Sequence, residues 1–476
     1  HHWQLIDSFV YYAHHLVTIP PPGWISAGHR HGVKVLGTLN LRSLAGIQFI
    51  NKIRGSRLEK EVASQLARIA TAYNFDGWLV SIACRLDSSC IPFVKDLLRL
   101  LKEEMHSAVP ESMVIWYDAV TRTGKCARQS ELNRKNIPFF DLCDGIFLHF
   151  KWTEEMLEDS ARFAGDRKKD VYVGIDVFAR KTQYAGGFET CKAVAEAQKY
   201  GLSAGIFAAG WVYQTQSRDK FMENQCRFWK FPDKLCNDWC IVTLPLKTSF
   251  CQGFGERLYK DGKVVSQRPW YNLAKQQLQP RDQGTALCGG CGSATVDSTI
   301  AYNGGGCLRL QFNPKKVGVE PYFRLFGCDL LLGALRVTYA MQQRGADHVG
   351  CDVAIVLTVR PADDETEKIR LGLNVTVPDE QRYAVARDYA YSLAQDTSES
   401  GWVIRRYTIR DLCGEAKLQE IGAALESSAA ICCLLGQIEV ERPSDIKENV
   451  EKDIDDGPAI ASDDDDWEPS AKTMCL

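Results

Sequence analysis

The stretch Phe75-Asp-Gly-Trp-Leu-Val-Ser-Ile-Ala83 carries the architecture. From Gly77 to Ile82 it is almost continuously apolar, too short for a core helix and rich in β-formers. A run of this kind reads as a strand buried on both faces, as in a parallel sheet. It is preceded by an amphipathic helical pattern, Arg57–Tyr73, with apolar residues at Val62, Leu66, Ile69 and Ala70, and followed by another, Pro92–Ser107. Helix–strand–helix is the repeating unit of an α/β fold.

Working outward, the same unit recurs. Strands are predicted at Leu5–Tyr12, Lys34–Leu39, Gly77–Ile82, Met113–Asp118, Gly145–Phe150, Val171–Val177 and Gly205–Ala208, seven in all. A TIM-type (β/α)8 barrel needs eight. A barrel whose first strand is missing from this chain fits the count, and a doubly wound open sheet is the alternative. No G-x-G-x-x-G fingerprint supports nucleotide binding. A barrel open at one strand would expose two edges: if the natural product starts here, it is expected to be poorly soluble or to pair with something else; otherwise the sequence is an incomplete product whose upstream residues are absent.

Beyond about Arg281 the texture changes. Gly-rich punctuation separates short runs at Cys307–Phe312, Leu335–Ala340, Val353–Val359, Ile369–Val377, Trp402–Ile409 and Ala430–Val440, which reads as a β-sandwich. From Glu441 the chain is polar and acidic through Asp463–Asp466 and reads as a disordered tail. The expected organisation is a barrel over 1–280, a sandwich over 281–440 and a tail over 441–476.

The 476 residues are 45% hydrophobic and 25% charged, with a net charge of −3. That balance excludes wholesale disorder and gives no dominant surface for nucleic acid or an anionic membrane. No apolar run reaches the roughly 18 residues of a membrane span. The 18 cysteines are scattered, several within apolar segments, as expected of reduced thiols in a cytoplasmic protein. One CxxC occurs, Cys288–Cys291, with Cys236/Cys240 as the best second pair for zinc; plain thiols are the simpler reading, so no metal and no cofactor are expected. Asn374-Val-Thr376 is a glycosylation sequon that a cytosolic chain would not use. Gly201-Leu-Ser-Ala-Gly205 has the spacing of a nucleophile elbow, but a helix precedes it and a strand follows, the reverse of the required order. His14-His15 and His29-x-His31 lack a carboxylate in a ligand pattern and read as structural histidines.

In a parallel α/β domain the chemistry gathers at the C-terminal strand ends. Here those ends carry Trp116-Tyr-Asp118, His149-Phe150, Asp176-Val-Phe178, and Gly210-Trp-Val-Tyr213. Planar aromatic faces stack on the apolar faces of sugars, so Trp116, Tyr117, Phe178, Trp211 and Tyr213, with Asp118 and Asp176, are candidate saccharide-binding residues; the competing reading is that the aromatics only fill the barrel mouth.

These blocks, with His29-Arg-His-Gly-Val33, Val35-Leu-Gly-Thr38, Phe75–Leu79, Val171–Gly174, Asp176–Arg180, Ser249-Phe-Cys251 and Pro269-Trp-Tyr271, resemble the cytosolic endo-β-N-acetylglucosaminidases of glycoside hydrolase family 85, in the family's order. The resemblance implies a (β/α)8 barrel followed by β-sandwich material. It also implies cleavage between the two core N-acetylglucosamines of N-glycans, with the sugar's own 2-acetamido oxygen as nucleophile. In that scheme an Asn on the fourth strand orients the acetamide, and a Glu two residues later protonates the leaving oxygen. Alternation places both on one side of the strand. Here the Asn position is Ser81, the Glu position is Ala83, the family's Tyr on the sixth strand is Phe150, and its Glu-Trp pair after the third is Arg42-Ser43. Alanine transfers no proton. The expectation is a catalytically inactive or strongly impaired relative, a pseudoenzyme that still binds a high-mannose N-glycan or glycopeptide. An active endoglycosidase with relocated chemistry at Asp118 or Asp176, and a non-glycan interaction protein, are the alternatives.

Overall fold

The computed structural model describes residues 2–230, 240–280, 292–312, 321–344, 352–362, 365–388, 401–426, 431–443 and 474–475. The chain divides into two compact units, His1–Asn237 with Glu468–Leu476, and Asp238–Trp467.

In the first unit, strands β1 (Ser8–Val10), β2 (Val17–Thr18), β3 (Lys34–Arg42), β4 (Gly77–Ala83), β5 (Met113–Tyr117), β6 (Gly145–Leu148), β7 (Val171–Asp176) and β8 (Ser203–Phe207) follow in chain order. β1 pairs parallel with β3, and β3 through β8 pair in parallel succession; β2 lies antiparallel on β3. These are the seven parallel strands of the sequence reading. The segment Met474–Cys475 lies antiparallel between β8 and β1 and closes the sheet on itself. The two edges expected to stand open are therefore bridged. The architecture is the barrel, not the open doubly wound sheet.

The Asp-Gly-Trp turn at the head of β4 is built by three separate requirements. Asp76 Oδ2 accepts from the Val35 backbone N–H and pairs with His29 Nε2, both at 2.7 Å. His29 is thus held by a carboxylate from the next strand unit, which raises its pKa above the ordinary value. Gly77 has φ +152°, and a Cβ there would collide with the Met113 carbonyl oxygen; only glycine lets β4 and β5 approach. Trp78 is fully buried and donates to Leu66 O at 3.2 Å, tying the strand to the preceding helix. That helix, Glu59–Tyr73, opens on Glu59 and Glu61 and ends at Asn74 in the left-handed region, burying Ala63, Leu66, Ala67 and Ala70. The next, Ile91–Ala108, starts with proline in its first turn and buries Val94, Leu97, Leu98, Leu101 and Met105.

The second unit is a sandwich. One sheet runs 292–297, 307–312, 431–441, 334–344, 403–411, 383–387, with 246–248 also on 431–441; the other runs 375–376, 367–371, 352–360, 417–426, 322–331, 240–241. Side chains of both, among them Leu308, Leu310, Ile355, Leu357, Ile421 and Leu435, share one core cluster. Since 240–241 and 246–248 already pair in these sheets, the division between units falls near residue 237 rather than 280. Cys236, Cys288 and Cys291 lie outside the described residues, as do 444–473 of the acidic segment. Among the described residues no helix is long and apolar enough to cross a membrane.

Candidate functional site

The barrel interior fixes which residues face the mouth. Val10, Leu36, Leu79, Ile115 and Phe147 form a buried cluster, with Tyr12, Met113, Tyr117, Tyr172 and Phe207 packed against it. Alternation from these points puts Asn40 and Arg42 on β3, Ser81 and Ala83 on β4, and Tyr117 on β5 toward the C-terminal end of the same interior. Register agrees: Asn40 pairs with Ser81, Ser81 with Tyr117, and Arg42 with Ala83. Ser81 is fully buried, and its Oγ has no hydrogen-bond partner. Phe150, at the end of β6, lies with its ring 4.1 Å from the His149 ring and 5.3 Å from Phe207.

The same alternation turns two candidates away. Trp116 is fully buried, stacked on Phe139 at 4.5 Å on the outside of the barrel, with Nε1 unpartnered. A sugar in the mouth does not reach it. Asp118 is 1% exposed and holds the following loop: its carboxylate accepts from Gln129 N (2.8 Å), Ser130 N (2.9 Å) and Asn136 Nδ2 (3.1 Å). Burial outweighs these bonds and pushes its pKa up to about 6.

Asp176 does face the mouth end of β7, but it is fully buried and committed to Arg180. The guanidinium grips it through Nε (2.7 Å) and Nη2 (3.0 Å), and the Phe178 N–H adds a third bond at 3.2 Å. The Arg180 guanidinium lies 5.3 Å from the half-buried Phe178 ring. Trp211 is half-buried, edge-on to Phe188 at 5.1 Å. Tyr213 is 47% exposed under the Arg218 guanidinium at 4.7 Å. Tyr117 is half-buried, stacked on Phe147; burial pushes its phenol up to about 12, so it stays a donor at neutral pH. His149 is held neutral, its pKa pushed down to about 4 by burial and then by Arg128 and Lys151. Ser130 Oγ contacts its Nδ1 at 3.4 Å.

One mouth residue was not singled out from sequence. Asn40, 3% exposed, donates through Nδ2 to Tyr12 Oη and Ala13 O, both at 3.1 Å, while Oδ1 is unpartnered. A polar side chain two residues before the end of a buried strand is the signal that marks it.

The arrangement is therefore a partly aromatic barrel mouth with polar groups beneath it and no carboxylic acid at positions 81 and 83. Asp118 and Asp176 are both engaged in holding their own loops.

Residues 1–258 match the family model described as Glycosyl hydrolase family 85. The chain is 44% identical to the cytosolic endo-beta-N-acetylglucosaminidase of Gallus gallus over 282 residues, covering 59% of this chain and 39% of that protein. Against the enzyme of the same name from Homo sapiens identity is 36% over 389 residues, 78% and 52% of the two chains. Against that from Mus musculus it is 35% over 467 residues, 92% and 62%. The chain spans about half the length of the curated relatives it matches. The glycoside hydrolase domain of Endo-D from Streptococcus pneumoniae R6 has the same fold, with a TM-score of 0.68 at 21% identity, over 92% of this chain and 70% of that one. With a family match over more than half of its residues, borne by the barrel that holds the site, the chain belongs to glycoside hydrolase family 85.

Proposed function

We propose that this chain is a cytoplasmic glycan-binding member of its family in which hydrolysis is lost or strongly impaired. Its ligand is the N-glycan core of a high-mannose oligosaccharide or glycopeptide. The observation that carries the reading is the fate of the carboxylates. The general-acid position is Ala83, and the two candidate replacement acids, Asp118 and Asp176, are 1% and 0% exposed and bound to their own loops. Loss of a general acid costs about 10²–10⁴ in rate, and loss of the acetamide-orienting group at Ser81 adds to it, though not additively. What supports retained binding is the set of aromatics still at the mouth, Tyr117, Phe150, Phe178 and Tyr213.

The test pairs two measurements on the same chain: hydrolysis of a fluorescent high-mannose glycopeptide, and calorimetric titration with the free oligosaccharide. Binding without turnover is expected. Turnover comparable to an intact relative would overturn the loss of catalysis, and absence of binding would overturn the glycan-binding reading.

A further inference from the structure

We infer that the barrel mouth takes a saccharide bearing an anionic group, a phosphate, sulfate or carboxylate, in preference to a neutral one. The inference rests on the saccharide-cleft reading above and deepens it.

The charge at the mouth comes from the end of β3 and from the loops that follow β5 and β6. Arg42 closes β3, in phase with the inward-facing Leu36 and Asn40, and is the direct cross-strand partner of Ala83. Arg128 is pinned at the end of β5, because the two residues after it give their N–H groups to Asp118. Lys151 follows Phe150 beyond β6. Their fields converge on the same groups: both arginines act on the Tyr117 phenol, and Arg128 and Lys151 both act on His149. Arg42 donates to His14 Nδ1 at 2.8 Å, a neutral acceptor that leaves the positive charge in place. Among the described residues no carboxylate pairs with Arg42, Arg128 or Lys151. The carboxylates that reach these groups, Asp118 and Asp176, are buried, and the second is already neutralised by Arg180. The mouth therefore carries cations that no described carboxylate pairs with directly, with the negative charge of Asp118 buried behind them.

The floor supplies the rest of the site. Ser81 Oγ and Asn40 Oδ1 belong to residues 0% and 3% exposed and have no hydrogen-bond partner. Buried polar groups of this kind are normally paired. The hydroxyl donates to an anionic oxygen, and the amide oxygen accepts from a sugar hydroxyl or amide. The protonated Tyr117 phenol is a further donor. An acidic peptide would answer the cations but not the aromatic faces of Tyr117, Phe150 and Phe207, whereas a charged sugar answers both. Guanidinium recognises phosphate and carboxylate through paired charge-assisted hydrogen bonds.

The test is calorimetric titration of the full chain with four oligosaccharides. These are neutral high-mannose, the same glycan carrying mannose 6-phosphate, a sulfated glycan and a sialylated one. Tighter binding of at least one anionic glycan, by about tenfold or more, is expected. The preference should shrink as salt rises and vanish in Arg42→Ala and Arg128→Ala. Which anionic glycan binds identifies the group. Equal binding of neutral and anionic glycans, or a preference indifferent to salt, overturns the inference and leaves the saccharide cleft standing. No binding of any glycan overturns the cleft reading itself. The salt series needs only the unaltered chain, so the result does not depend on the variants folding.

Discussion

Arg42 and Ala83 stand directly opposite each other on β3 and β4, both facing the barrel mouth. A carboxylate returned to position 83 would lie beside a guanidinium. An adjacent cation favours the charged carboxylate, and a general acid must arrive protonated. Ser81→Asn/Ala83→Glu alone is therefore expected to stay near background in glycopeptide hydrolysis. Adding Arg42→Ala should raise the rate by about 10² or more. Full recovery in the double variant would show that Arg42 does not control the site.

Asp118 and His149 are expected to impose opposite pH slopes on stability. Folded Asp118 keeps its proton up to about 6, against 3.8 for the free side chain, so between those values the folded state binds more proton and stability falls as pH rises. Folded His149 releases its proton at about 4, against 6.5, so in that window the unfolded state binds more proton and stability rises with pH. The two effects oppose each other across this window. Denaturant unfolding from pH 4 to 6.5 checks this. Asp118→Asn should leave a rising profile and His149→Gln a falling one. Parallel profiles in the two variants would contradict it.

Much of the architecture was legible in the sequence, and the misreadings have physical causes. The barrel strands stood out because parallel strands buried on both faces are continuous apolar runs. Ser81 and Ala83 were placed on one face by alternation. The same rule, carried to Trp116-Tyr117-Asp118, separates Tyr117 from its two neighbours, yet the three were read together. In the second unit, 417–426 escaped notice because Lys417, Leu418, Ile421, Ala423, Ala424 and Leu425 have helix-former character and helical spacing. Tertiary pairing on both sides, with 322–331 and 352–360, makes this segment a strand instead. The unit boundary was set late because 246–248, a three-residue strand, carries too little pattern to reveal its pairing with 431–441.

Removing Arg180 tests whether Asp176 is a structural acid. The carboxylate is fully buried while the arginine side chain is 52% exposed. Arg180→Ala would leave a buried charge that water reaches only in part, and a loss of about 1–3 kcal/mol is expected. Arg180→Lys should recover part of it, since an ammonium cannot reproduce the two-pronged grip. A neutral outcome in thermal unfolding would mean that Asp176 has another partner.

Thiol chemistry offers an independent view of the barrel. Cys126 and Cys413 are exposed, whereas Cys84 and Cys143 are buried, and burial pushes the Cys84 thiol up to about 11 and that of Cys143 higher still. Among the described cysteines, alkylation followed by mass spectrometry should label Cys126 and Cys413 before Cys84 and Cys143, which stay protected until unfolding. Early labelling of Cys84 would place it in the mouth rather than in the wall.

The barrel's seam is its weakest line. β3 and β4 are matched over seven residue pairs, whereas Met474–Cys475 meets β1 at two and β8 at one. Backbone amides there are held by far fewer neighbours, so the sheet unzips from that side before any other. Hydrogen exchange would then advance around the ring as a front, reaching β4 last.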